Sequence, residues 1–297
     1  MRHGPPVNSD PILVATALDA AGTAAVKEAA LWAERLGAPL VVTHALPSRA
    51  GIMPLLPHLV DVVPSPDLRA KAEEALDRHV AEALGNVGAA ERVVVEGSAH
   101  AAILSLAETT TPQLVVVAHN DKAALERAVL GSTAEQIIRH ASCSVLVVRS
   151  VGDDGPVVAA TDLSDAALPA VQAAGAEAAR RGTELVLLHA LDVAQPFTAL
   201  FEPTATLDEA TVDKLAAAAD ELLGATLSRA GHSGRTAVVL GPPARAIAEA
   251  ADEHGASVVV VATRGHSGLR HMVLGSVAEG VVRKAPCNVL VVRGRDG

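Results

Sequence analysis

"ILVATALDAAGTAAV", residues 12–26, decides the fold, because the chain carries it twice. "VVAATDLSDAALPAV", residues 157–171, lies against it at an offset of 145. The offset persists through "VVTHAL" (41–46) and "LVLLHAL" (185–191), pairing His44 with His189. Farther on, Gly97 pairs with Gly241, Ile103 with Ile247, Gly131 with Gly275 and Cys143 with Cys287, each 144 apart. One residue has been lost between the two blocks, in the divergent segment after the second strand. The chain is therefore two copies of one unit. They join at "SVGDDGP" (150–156), a Gly/Asp/Pro turn cluster. The expected domains are residues 11–150 and 155–294.

Within each copy, short apolar runs alternate with helical patterns. Copy one offers "ILVAT", "LVVTHA", "RVVVE", "LVVVA" and "SVLVV". Copy two offers "PVVAAT", "ELVLLHA", "TAVVL", "SVVVVA" and "NVLVVR", with helices near 165–181, 207–230 and 243–254 and from about 276. Runs that are apolar throughout, without polar alternation, predict strands buried on both faces. Strands alternating with helices predict a parallel α/β sheet, and right-handed crossovers put helices on both faces. The expected fold is two tandem doubly wound units, each a five-stranded parallel sheet of order 3-2-1-4-5.

The bulk numbers agree. A chain of 297 residues is long enough for two ordinary domains, and half of it is hydrophobic. The net charge is −10, with two Phe, one Trp and no Tyr, so the basic footprint and stacking platforms of a nucleic-acid binder are missing. No run approaches the ~18 apolar residues of a membrane span. "MRHGPPVNSD" lacks the apolar core of a secretory signal and reads as a tail. A cytoplasmic protein without membrane or nucleic-acid partners is the expectation. Cys143 and Cys287 sit at equivalent points of the repeat and read as small core hydrophobes.

In an open parallel sheet, ligands bind beyond the carboxyl ends of the strands where strand order reverses. For order 3-2-1-4-5 that point lies between strands one and four. In copy two the loops there are "TDLSD" (161–165) and "TRGHSGLRHMVLGS" (263–276). Gly265 and Gly268 permit close backbone approach to a ligand. Gly275-Ser276 opens a helix whose unpaired N–H groups favour an anion. The bland alternative is that "SVAE" (276–279) and "STAE" (132–135) are capping boxes that need no ligand. Asp162 has two readings as well: an Asx-turn or cap, or an acceptor for an adenine or ribose group. His44 and His189 read as satisfied histidines at the ends of core strands. The chain has no GxxxxGK[ST], HExxH, CxxC or GxSxG motif and no metal-ligand spacing among its histidines.

These residues resemble the universal stress protein family in its tandem form. The resemblance rests on "TDLSD" after strand one and on a glycine loop closing in "GSVAEGVVRKAPCNVLVV", and it covers residues 11–293. The family's ATP-binding members carry G-x2-G-x9-G-[S/T]. Copy two reads Ala262-x2-Gly265-x9-Gly275-Ser276, with Ala262 departing from the family's glycine. The resemblance implies ATP, with Mg2+ supplied by the nucleotide, between strands one and four. Carried over, Thr161 and Asp162 match the strand-one positions and Ala190 the second-strand adenine position. Val261 and Ala262 match the end of strand four, and Gly265, Gly275, Ser276 and Val277 the phosphate positions.

Copy one departs further. Ala17 stands where copy two has Asp162, and Asp121 stands where it has Gly265. Copy one is therefore expected to hold a degenerate site. The resulting expectation is an ATP-binding stress or signalling protein, with slow ATP hydrolysis at most and no assigned catalytic residue. The alternative is a structural or regulatory interaction protein of the same fold that binds no nucleotide. An adenylating ligase ranks last, since "ATDLSD" and "ATALDA" lack the glycines of its SGGxDS loop. The last strands of both copies would be apolar sheet edges. In the family such edges pair between units, which implies an intramolecular pseudo-dimer and a possible homodimer.

Overall fold

The structure, a computed structural model, describes residues 10–47, 66–86, 88, 90–119, 131–152, 154–193, 208–263 and 274–294. It divides into two compact units, the first ending at Gly152.

The first unit runs β1 (Ile12–Ala15), α1 (Ala20–Leu36), β2 (Leu40–Leu46), α2 (Pro66–Leu84), β3 (Glu91–Glu96), α3 (Ala99–Thr110), β4 (Leu114–Ala118), α4 (Ser132–His140) and β5 (Ser144–Val148). β1 pairs in parallel with β2 and β4, β2 with β3, and β4 with β5, giving the order 3-2-1-4-5. The second unit runs β6 (Val157–Ala160), a 3-10 turn (Asp165–Ala167), α5 (Leu168–Arg181), β7 (Leu185–Leu191), α6 (Glu209–Ala230), β8 (Arg235–Leu240), α7 (Pro243–Glu253), β9 (Val258–Ala262), α8 (Ser276–Lys284) and β10 (Asn288–Val292). Its parallel pairings repeat the same order: β6 with β7 and β9, β7 with β8, β9 with β10.

Val, Ile and Leu fill the central strands because crossovers place helices on both faces. In the first unit α1 packs with α2, and α3 with α4; in the second, α5 packs with α6, and α7 with α8. Ile12, Leu13, Val14, Val115 and Val116 are fully buried, as are Val157, Val158, Ala159, Val259 and Val260. Equivalent glycines, Gly37 and Gly182, end α1 and α5 in the left-handed conformation at φ 61° and 67°.

One expectation needs correction. Not all five strands of a unit are buried on both faces. β3 and β8 are exposed at their ends and, apart from buried Val94, half-buried between, and among the described residues each pairs only with its inner neighbour. An outer strand receives less helix cover than a central one. The apolar "VVV" and "AVV" centres of these strands concealed that in the sequence. β5 and β10, at the other end of each order, are buried.

Buried carboxylates secure both units. Glu28, fully buried on α1, accepts from Trp32 Nε1 at 3.0 Å and from the Gly152 backbone N–H at 2.9 Å. Glu177 on α5 is equally buried and accepts from Arg181 Nε at 2.7 Å. A buried charge keeps its place only when paired and hydrogen-bonded, as these are. Cys143 is half-buried and Cys287 is buried.

Candidate functional site

Order reversal separates the carboxyl ends of β6 and β9, where a cleft of about 220 Å³ opens. Thr161, Asp162, Ala190, Val261, Ala262, Gly275, Ser276 and Val277, all singled out in the sequence, line it together. Gly265, the remaining candidate, lies outside the described residues. So does Asp121 in the first unit.

The floor is built by Thr161. Its N–H continues the sheet to Leu188 O at 2.9 Å, and its Oγ1 accepts from Leu163 N at 3.0 Å. That bond holds Leu163 in the left-handed region at φ 67°, an uncommon conformation for a non-glycine residue. The turn lifts Asp162 to the rim. Asp162 Oδ1 accepts from Ser164 N at 3.0 Å and from Ser164 Oγ at 2.5 Å, an Asx-turn. Asp162 caps no helix, because α5 starts later, behind the 3-10 turn.

Across the cleft, Thr263 N donates to Val292 O at 3.0 Å, and Gly275 N donates to Thr263 O at 3.0 Å. Gly275 is the N-cap of α8, and the first intrahelical bond runs from Glu279 N to Gly275 O at 2.9 Å. The N–H groups of Ser276, Val277 and Ala278 therefore have no intrahelical acceptor and form the helix's anion-favouring end.

This start corrects the capping-box reading. Ser276 is the first helical residue, not the cap, and no side-chain cap bond forms. The Gly275 N–H that a capping box would give to Glu279 goes to Thr263 O, and Glu279 pairs with Arg283 Nη2 at 2.9 Å. The first unit repeats the pattern, with Gly131 as N-cap and Glu135 paired with Arg139 at 3.0 Å. Within "GS[VT]AE" the glycine supplies the extended cap and the glutamate supplies an i,i+4 pair.

Sequence reasoning missed further wall residues. Ala160, Ala167, Pro243, Ile247, Thr263 and Ala278 line the cleft as well. Pro243 and Ile247 come from the start of α7, which the repeat pattern placed only as a helix. The pairing of Ile103 with Ile247 was the available signal. His189 also lines the cleft, with Nδ1 2.9 Å from Thr161 O.

The first unit has the equivalent cleft, of about 360 Å³, lined by Thr16, Ala17, Asp19, His44, Ser132 and Thr133 among others. Its scaffold is the same. Thr16 Oγ1 accepts from Leu18 N at 3.0 Å, Leu18 stands at φ 60°, and His44 Nδ1 lies 2.9 Å from Thr16 O. Its carboxylate is placed differently. Asp19 Oδ1 accepts from Gly22 N at 2.9 Å and so caps α1. Behind this cleft, buried His79 on α2 places Nε2 2.9 Å from Thr16 Oγ1. Burial pushes the His79 pKa below the ordinary imidazole value. Glu82, the Gly22 backbone and Asp19 oppose that, and His44 adds to it.

Among the described residues no group of three or more His, Cys, Asp or Glu side chains is arranged to hold a metal ion. Among them, too, no helix is long and apolar enough to cross a membrane.

The chain, two copies of one α/β unit with a cleft at each strand-order reversal, has counterparts among known proteins. The model of the universal stress protein family matches it twice, over residues 8–149 and 155–293. The chain belongs to the universal stress protein family. A universal stress protein of Mycolicibacterium smegmatis is 32% identical over 295 residues, covering 96% of this chain and 97% of that protein. A universal stress protein of Mycobacterium tuberculosis is 32% identical over 193 residues, 61% of this chain and 62% of the relative. Among solved structures, a universal stress protein from Archaeoglobus fulgidus matches with a TM-score of 0.67 and 21% identity, over 96% of this chain and 99% of that one. At that identity the likeness supports the fold alone.

Proposed function

We propose that the second unit binds an adenine nucleotide, ATP, in the cleft between β6 and β9. The observation that carries this reading is the start of α8. Gly275 stands at φ −61°, a conformation open to any residue, and among the described residues an added Cβ would meet only Thr263 O, at an ordinary 3.4 Å. Neither the backbone nor the packing of the described residues demands a glycine there. Its missing side chain leaves the mouth of the cleft open beside the N–H groups of Ser276, Val277 and Ala278. A polyphosphate suits that position, by charge and by hydrogen bonding. The Ser276 hydroxyl is exposed at the same place and makes no cap bond.

At about 220 Å³ the cleft is smaller than the roughly 300–1,000 Å³ of pockets that enclose a whole ligand. A nucleotide there buries its nucleoside part and leaves the phosphates at the mouth. Asp162 on the rim offers a carboxylate to a ribose hydroxyl or base amine. Mg2+ would ride on the phosphates. The role is a binding module in stress response, located in the cytoplasm and able to self-associate, with no catalytic residue assigned. Ala262 favours a second reading, a regulatory partner that binds no nucleotide, since its methyl stands on the cleft wall where the family's motif has glycine.

Mass spectrometry of small molecules released from the denatured purified protein tests the choice. ATP or ADP near stoichiometric amounts supports the first reading. An empty protein that also gives no heat on titration with ATP supports the second.

A further inference from the structure

Both clefts carry a histidine that the strand pattern alone explains as a satisfied strand end. Only half of that explanation holds. His189 Nδ1 lies 2.9 Å from the carbonyl oxygen of Thr161, a group that can only accept. Nδ1 therefore carries the hydrogen, and in the neutral ring Nε2 is left with a lone pair. Among the described residues Nε2 has no hydrogen-bond partner. It is not among the sealed, partnerless polar atoms of the interior either, and the half-buried ring lines the cleft.

The position of this lone pair gives it a job. With phosphates at the start of α8, the base is left to the rest of the cleft. Ala160, Ala190, Pro243 and Ile247 give that cleft apolar lining suited to a flat base, and His189 lines it with them. We infer that His189 is a specificity-determining residue whose Nε2 accepts a hydrogen from the amino group of the base, so that the cleft selects adenine over 6-oxopurines. A 6-oxo group would set its own lone pairs against that of Nε2, leaving both acceptors unsatisfied. A site built to pair with a particular polar group rejects the analogue that lacks it far better than an apolar pocket does. The inference rests on the nucleotide reading of this cleft and adds a residue to it.

The test is calorimetric titration of the full chain with ATP and with ITP at pH 8. ITP differs from ATP in carrying a 6-oxo group in place of the amine. The variants are His189→Asn and, as a control in the other unit, His44→Asn. The asparagine amide occupies the place of Nδ1 and keeps the donor to Thr161 O, but it deletes Nε2. The wild type should prefer ATP by about tenfold or more. His189→Asn should bring the two affinities within about threefold, mainly by weakening ATP, while His44→Asn keeps the wild-type ratio. A wild-type protein that binds both equally, or a His189→Asn variant that binds ATP and keeps the preference, overturns the inference and leaves the nucleotide reading standing. Absence of binding by the wild type to either nucleotide removes both.

Discussion

The backbone N–H of Gly275 donates to the carbonyl oxygen of Thr263 at 3.0 Å, which ties together the two ends of the loop that follows β9. The bond also uses up the Gly275 donor. The anion-favouring N–H groups therefore begin at Ser276, one residue farther into the helix than the glycine motif suggests. The glycine's contribution is its absent side chain. Gly275→Ala should leave the melting temperature within about 2 °C of wild type, because φ is ordinary and among the described residues the added methyl meets only Thr263 O. ATP affinity should fall about tenfold if the methyl stands between helix start and phosphate. Unchanged affinity would take Gly275 out of the site.

Thr161 and Asp162 make separable contributions, and the first unit supplies the control. Leu18 and Leu163 adopt the same left-handed turn, each held by the preceding threonine hydroxyl, although Ala17 replaces Asp162. The turn thus depends on threonine and not on aspartate. Thr161→Val should cost about 1–2 kcal/mol of stability through the lost turn bond. Asp162→Ala should cost little stability and about tenfold in ATP affinity. Thermal melting beside calorimetric titration separates the two, and a large stability loss in Asp162→Ala would return that residue to a structural role.

Gly280 fixes the distance between two walls of the cleft. An added Cβ would lie 2.5 Å from Ala244 Cβ, so α8 sits against α7 only because position 280 lacks a side chain. Gly280→Ala must push α7 away and should destabilise the second unit by about 1–3 kcal/mol. Pro243 and Ile247 move with α7, so ATP affinity should fall as well. Urea unfolding and titration of the same variant check both effects, and wild-type stability would refute the packing argument.

How much of this was legible in the sequence can be argued from single residues. The repeat offset fixed topology, since Ile12, Leu13 and Val14 have counterparts in Val157, Val158 and Ala159 that occupy the same central strand. The cleft candidates followed from topology plus resemblance, because a strand-order reversal brings fixed chain positions together. The helix start was misread because Ser-x-x-Glu scores as a capping box whether serine sits at the cap or one residue inside. Only geometry distinguishes the two. Pro243, Ile247 and the second nitrogen of His189 stayed hidden for a related reason. Which side of a helix or ring faces a cavity is set by packing, and strand or helix period alone does not report it.

His79 sets a pH dependence confined to the first unit. Its folded-state pKa lies below the ordinary value of 6.5, chiefly because burial disfavours the charged ring. The unfolded chain then binds the proton more readily, so stability rises with pH. This contribution is fully present above about 6.5 and is lost as the pH falls from there toward the folded value. Melting temperatures between pH 8 and pH 5 should fall more steeply for wild type than for His79→Gln, whose amide can keep the contact to Thr16 without titrating. Parallel curves would show that His79 does not carry the effect.

Occupancy should be unequal between the clefts, although both exist and the first unit's is the larger. The backbone scaffold is common to them, so the difference must come from side chains. The first unit's carboxylate, Asp19, caps α1, while the second unit's Asp162 accepts from Ser164 beside the cleft. In sequence, Asp121 also replaces Gly265. Titration with ATP should accordingly give about one site per chain. Gly265→Asp should transplant the first unit's character into the second. Like unit charges about 5 Å apart at an effective dielectric of about 20 repel by on the order of 3 kcal/mol, or about a hundredfold in affinity. The fold should survive, since a unit with aspartate at the matching position already folds. Two equal sites in the wild type, or a Gly265→Asp variant with unchanged ATP affinity and unchanged melting, would remove the charge argument and leave that loop as a connection between strand and helix.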